Sequence, residues 1–344
     1  MVTKALLVVW LSPAVGVRMY VGTFTEELNW VDGTPGPGLR SYELGEDGEL
    51  SEPIDYEAGT SNPAWLLTTE TTMYAAGETI VALNRSDFEI LSIADAGVGS
   101  AVHLSEYDNY LLAAHYGGGA VTVYALDPLT LVQTIIFDDV QGTGRQSSAH
   151  PHAIYASGDD VYVPDLGADK IRRFVWNTTV LEQSEDVEVA AGSGPRHLAF
   201  HSSGEWVFAL FELSNEIASY SVNFDGSLSY ASSASTLVDQ PSDNQTAGAI
   251  YVSGTYVLAS NRGDHNSVVV FEANLTTGAL AFVSDTDTEG LTPRDFLLTE
   301  DGLLLVANQD SDTIVSFYFS EEDGLLSRTP ANVTVVGSPA CLTL

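Results

Sequence analysis

Lysine is nearly missing from this sequence. Of twelve cationic residues only Lys4 and Lys170 are lysines, and all twelve face 47 aspartates and glutamates, for a formal net charge of −35. A body so acidic repels nucleic acid and anionic bilayers, which argues against either as a partner. It fits an exported or high-salt protein, or mere solubility. Cysteine is scarcer still: Cys341 stands alone, forms no internal disulfide, and reads as a small buried hydrophobe. Long apolar runs are also missing. The stretch from Ala5 to Val17 is about 13 residues and carries Pro13, too short to span a bilayer. No segment shows convincing amphipathic helical periodicity, which leaves strands to build the core.

What is present is repetition. Prolines open apolar runs in Asn62-Pro63-Ala64-Trp65, His150-Pro151-His152-Ala153, Gly194-Pro195-Arg196-His197, Thr292-Pro293-Arg294-Asp295 and Ser338-Pro339-Ala340-Cys341. Successive prolines stand 88, 44, 98 and 46 positions apart, one or two copies of a period near about 45. Gly-x-Leu turns at Gly48, Gly226, Gly278 and Gly324 agree with that period, each just before the last strand of a unit. Four short strands per unit predict an all-β fold of propeller blades. Units at 64–95, 101–138, 149–189, 196–235, 248–286 and 294–332 make six. The pieces 19–55 and 340–344 complete a seventh, with the C-terminal strand innermost, so that the ring closes without free sheet edges. The expectation is one seven-bladed domain over 17–344, acting as a monomer.

Residues 1–16 read as a signal peptide, with Lys4 at the start, the apolar run, and Ala14-Val15-Gly16 as a small-x-small cleavage site. An inserted N-terminal strand is the plain alternative. Five sequons, at Asn84, Asn177, Asn244, Asn274 and Asn332, support a secreted glycoprotein.

In each unit the start of the innermost strand and the end of the second strand share one face of the disc. Strand starts bring His150, His152, Arg196, His197, Arg294 and Asp295 to that face. Second-strand ends bring His115, Asp165, Glu212, Asn261, Arg262, Asn308 and Gln309. Cations and acids near a narrow axis cost several kcal/mol unless they pair or work, so this cluster is the candidate site. Polar ties between blades are the bland reading for Asp165, Asn308, Gln309 and Asp295. By strand alternation His197 points away from Arg196, between blades, while His150 and His152 share one side. That pair could chelate zinc, although no cysteine ligand or HExxH pattern accompanies it, and no cofactor is expected.

Tyr20-Val21-Gly22-Thr23, Asn62-Pro63-Ala64-Trp65-Leu66, His150-Pro151-His152-Ala153, Asp165-Leu166-Gly167-Ala168-Asp169-Lys170, Gly194-Pro195-Arg196-His197, Ser260-Asn261-Arg262-Gly263, Pro293-Arg294-Asp295-Phe296 and Ala307-Asn308-Gln309 resemble the seven-bladed propeller lactonases. That family includes propeller-type 6-phosphogluconolactonases and fungal 3-carboxy-cis,cis-muconate lactonizing enzymes. The likeness runs through 19–344 in order. It implies a His, two Arg and a Glu around an axial pocket, which fall here on His150 or His152, Arg196, Arg262 and Glu212.

Opening a lactone needs a base for water, donors for the oxyanion and an acid for the leaving alkoxide. Glu212 or a histidine can be the base, and Arg196 and Arg262 suit the oxyanion. His115, Asp165, Arg294, Asn308, Gln309 and Trp30, the last on the long loop 25–38 over the pocket mouth, are expected to contact substrate. Net charge and export favour a neutral sugar lactone, such as an aldono-1,5-lactone, as the small-molecule partner. A carboxymuconate cyclase and a secreted propeller that binds without turnover remain as alternatives.

Overall fold

The computed structural model describes residues 17–140, 142–237 and 244–344; the leader expected at 1–16 lies outside them. Runs rich in Val, Leu, Ala and aromatic residues, punctuated by glycine and aspartate turns, form short antiparallel strands throughout. Among the described residues the only helical elements are two 3-10 turns, Gly144–Gln146 and Gln309–Ser311.

The strands form seven sheets. Blades two to seven follow the chain over 65–94, 103–136, 155–188, 195–235, 245–287 and 293–335. Blade one is shared between the termini. The C-terminal strand Pro339–Thr343 is innermost and pairs with Val17–Thr23, which pairs with Leu39–Leu44 and then Ile54–Tyr56. In blade four the outer strand is broken into Val180–Gln183 and Val187–Glu188, both paired with Lys170–Asn177.

The core lies between blades. Seven apolar clusters each span one pair of neighbours, as where Phe208 and Leu210 of blade five meet Val257, Val269 and Phe271 of blade six. Burying one such large side chain is worth about 1.5–3 kcal/mol, so each interface stabilises both sheets it joins.

The Gly-x-Leu turns clamp the blades together. Gly48, Gly226, Gly278 and Gly324 all adopt left-handed φ, from 71 to 82°. Each carbonyl accepts a hydrogen bond from the preceding blade: from Ser316 Oγ (3.0 Å), Tyr162 Oη (2.6 Å), Ser219 Oγ (2.6 Å) and Ser284 Oγ (3.2 Å) respectively. Only glycine takes this φ freely, and a Cβ on Gly278 would come within 2.5 Å of Ala231 and Trp206.

Candidate active site

One wall of the site is built by a recurring bulge in the innermost strands. In blade five Pro195 pairs with Phe211 and His197 with Leu210, so Arg196 is an extra, unpaired residue. In blade seven Pro293 pairs with Asn308 and Asp295 with Ala307, which leaves Arg294 in the same position. His152 follows Pro151 in the corresponding place in blade four, where Pro151 bridges Asp165.

The opposite wall comes from second-strand ends, and two successive positions there have separate tasks. His115, Asp165, Asn261 and Asn308 turn back into the ring. His115 bonds Gly99 O (2.7 Å) and Thr122 Oγ1 (2.8 Å). Asp165 accepts N–H bonds from His150, Gly167 and Ala168 and pairs with buried Arg172 at 2.9 Å. Asn261 donates to Thr236 O and Asn308 to Thr288 O. His115, Asp165 and Asn308, expected to touch substrate, therefore bind neighbouring backbone and side chains instead. One position further on, Tyr116, Arg262 and Gln309, with Glu212 after Phe211 in blade five, line a cavity of about 600 Å³ together with Trp30, Arg145, His152, Thr292, Arg294 and Asp310.

Glu212 is the centre of the site. Its Oε1 lies 2.7 Å from Arg145 Nη1 and 3.3 Å from Arg262 Nη2; its Oε2 lies 3.2 Å from Arg196 Nε and 3.7 Å from His152 Nε2. These five groups come from blades four, five and six and the connection before blade four. Burial alone would raise the Glu212 pKa, but the guanidinium groups of Arg262, Arg196 and Arg145 overcome it and hold the carboxyl well below its ordinary range. Burial, and then Arg196, push His152 far below its usual pKa, so the imidazole is neutral at pH 7. Burial and Arg262 draw Arg196 down to about 9, still protonated at neutral pH.

Arg294 lines the cavity without a carboxylate within ion-pair distance among the described residues. Its guanidinium lies 5.1 Å from the Phe24 ring centre and 5.6 Å from that of Trp30, and it donates to Gln309 Oε1 at 3.4 Å. Trp30, 58% exposed at the mouth, meets Phe24 edge-on at 5.0 Å. Its loop is tied to blade seven by Asp310, which accepts from Asp32 N–H, and by Asp312, which accepts from Thr34.

Two further expectations are corrected. His150 and His152 do not converge: His150 stacks on Tyr116 at 4.2 Å, with Nδ1 on Tyr116 O and Nε2 on Ser148 Oγ, and does not line the cavity. The short strand of blade four starts only at Tyr155, so 150–152 does not follow simple alternation. With its two ring nitrogens so engaged, His150 does not face a common ligand position with His152, and among the described residues no group of three His, Cys, Asp or Glu is placed to hold a metal. His197 does not point between blades. The bulge at Arg196 shifts the alternation, and His197 meets Trp65 of blade two, His103 of blade three and His152 of blade four on the axis. Asp295 accepts the Leu342 N–H at 2.9 Å and so helps tie the closing strand.

Several cavity residues, among them Tyr116, Arg145 and Asp310, escape a reading confined to strand-end motifs. Tyr116 follows His115 by one position, as Arg262 follows Asn261, and that offset was the available signal. Arg145 lies on a loop with no motif, and only its rarity as one of few cations marked it.

Residues 18–344 match the family described as "Lactonase, 7-bladed beta-propeller". The chain is 32% identical to a 6-phosphogluconolactonase of Bacillus subtilis, over 94% of this chain and 97% of that one. It is 29% identical to a 6-phosphogluconolactonase of Formosa agariphila, over 93% and 97%. A periplasmic gluconolactonase of Pseudomonas aeruginosa has a similar structure, with a TM-score of 0.85 at 26% identity over 95% and 98% of the two chains. A seven-bladed ring, the Pro-Arg and Asn-Arg motifs at its axis and these likenesses lead to one assignment: the chain belongs to the lactonase family of seven-bladed β-propellers.

Proposed function

We propose that the protein hydrolyses a sugar lactone, an aldono-1,5-lactone, to its aldonic acid. The observation that carries this reading is the convergence of neutral His152 and the guanidinium groups of Arg145 and Arg262 on Glu212 in the cavity wall. Water adds across the ester bond. His152 Nε2 takes one proton from the attacking water, while Arg145 and Arg262 donate to the carbonyl oxygen as it becomes an oxyanion. Collapse of that intermediate breaks the bond from C1 to the ring oxygen, and the imidazolium returns its proton to the leaving alkoxide. Glu212 is too strongly stabilised as an anion to be the base; it fixes the arginines and stabilises the imidazolium 3.7 Å away.

The net charge of −35 is an average over the whole body. At the cavity Arg145, Arg262 and Arg294 outnumber Glu212 and Asp310, with Arg196 buried behind Glu212, so an anionic substituent is accommodated there. The same excess would clamp a carboxymuconate, which keeps the cyclase as a second reading. Acid release above the spontaneous rate, measured in a pH-stat with glucono-1,5-lactone and its 6-phosphate, tests the proposal. Loss of that release in His152→Gln supports it. Absorbance loss from a carboxymuconate with no lactone turnover favours the cyclase, and binding with neither reaction would leave a non-catalytic propeller.

Export through residues 1–16 and glycosylation belong to the same proposal. Asn177, Asn244 and Asn274 are exposed and Asn84 and Asn332 partly so, which is compatible with modification at these sequons. N-terminal sequencing and glycosidase treatment of protein from the culture medium test both.

A further inference from the structure

Arg145 makes the shortest ion pair to Glu212, yet it is half exposed and stands in the 3-10 turn Gly144–Gln146 of a long connection. A free arginine side chain loses about 2 kcal/mol of rotamer entropy when fixed, so its backbone must be held. The next residue supplies the hold. Gln146 Nε2 donates to Leu166 O at 2.8 Å and to Asp169 Oδ1 at 2.7 Å.

Asp169 serves more than this loop. It sits at φ +51° where the hairpin of Asp160–Asp165 and Lys170–Asn177 turns. Its Oδ1 also accepts the Gly194 N–H at 2.8 Å and its Oδ2 the Gly192 N–H at 2.8 Å. Gly194 O in turn accepts the Glu212 N–H at 2.8 Å, and Gly194 leads directly into Pro195-Arg196. One carboxylate therefore joins the loop of Arg145, the turn before Arg196 and, through one peptide, the backbone of Glu212. The start of the same loop is tied to the same hairpin, because Asp139 pairs with Arg172 at 2.6 Å and Lys170 at 3.0 Å.

We propose that Gln146 and Asp169 are positioning residues that set Arg145 against Glu212, although neither lines the cavity. The proposal rests on the lactonase reading for its kinetic consequence and on geometry alone for its structural one.

Two measurements on the full-length protein test it. In the kinetic one, kcat/KM for the aldonolactone is compared among Gln146→Ala, Asp169→Asn, Arg145→Ala and the pair Gln146→Ala/Arg145→Ala. Gln146→Ala should cost about ten-fold, since a displacement near 1 Å can cost up to about 10²-fold. The paired variant should be no worse than Arg145→Ala alone, because the two residues act as one unit; losses that multiply overturn the proposal. The other is limited trypsin digestion read by mass spectrometry. Cleavage after Arg145 should quicken several-fold in Gln146→Ala relative to cleavage after exposed Arg328, which reports general loosening. An unchanged ratio overturns the proposal even in a variant that folds poorly. A wild-type protein with no lactone turnover would sink the functional reading while the trypsin ratio still decides the positioning claim.

Discussion

His152 Nε2 faces Glu212 Oε2 across 3.7 Å, and three guanidinium groups surround the same carboxylate. In the proposed mechanism the two residues separate the tasks of proton acceptor and charge anchor, so their variants should fail differently. His152→Gln is expected to lower kcat by about 10²–10⁴-fold with the melting temperature nearly unchanged. Glu212→Gln should lose activity and also stability, because it strands buried cations at a cost of about 3–5 kcal/mol. Equal melting curves for the two variants would refute this division.

Acid should weaken the fold before the carboxylates at the surface titrate. His152 and His197 are pushed far below their usual pKa by burial and Arg196, and burial takes His103 to about 3. A histidine whose folded pKa is depressed binds protons better when unfolded. Its stabilisation is complete above about pH 6.5 and falls as the pH drops, by up to about 1.4 kcal/mol per unit and residue. Asp295, raised to about 6 by burial, opposes this with a single proton between roughly pH 4 and 6. Glu212, held low, adds to the loss below roughly pH 4. The urea midpoint should therefore be clearly lower at pH 5 than at pH 7; equal midpoints would contradict the neutral axial histidines.

Trp30 projects from the cavity mouth on a loop anchored by Asp310 and Asp312. Trp30→Ala should raise KM about five-fold, the equivalent of a ring contact near 1 kcal/mol, and leave kcat and the melting temperature in place. A fall in kcat alone would assign the ring to the chemistry instead of to substrate capture.

The turn glycines give a fourth prediction. Gly278→Ala combines a left-handed φ of +75° with contacts at 2.5 Å, and should cost about 1–2 kcal/mol of backbone strain plus about 1–3 kcal/mol of overpacking. Gly254→Ala is the control: its φ is +53° but nothing lies within 4 Å of the added methyl, so only the backbone cost applies. Calorimetry that ranks Gly254→Ala as the more damaging would remove the clamp role argued for the Gly-x-Leu turns.

The blade count and the closure by Pro339–Thr343 were legible in the repeated markers, and the bounds of the six continuous blades fell within about three residues except at blade four, expected from 149 but starting at Tyr155. Arg196, Glu212 and Arg262 were legible too, since each belongs to a motif at a strand end. His150 was misplaced and His197 given the wrong direction for one reason: strict alternation fails where the innermost strand bulges or starts late. His115, Asp165 and Asn308 were placed at the right end of the right strands, but one residue of register separates a side chain that binds backbone from one that meets the cavity.

By itself the sequence determined the ring, because the period of its turns and apolar strands is a local property that neighbouring blades can satisfy in only one circular order. Tertiary structure alone decided which polar groups meet. Arg145 lies 67 positions from Glu212 in the chain and has no motif of its own. It reaches the carboxylate because Gln146 and Asp169 fold a loop back over the axis, and such a contact leaves no periodic trace in a linear chain.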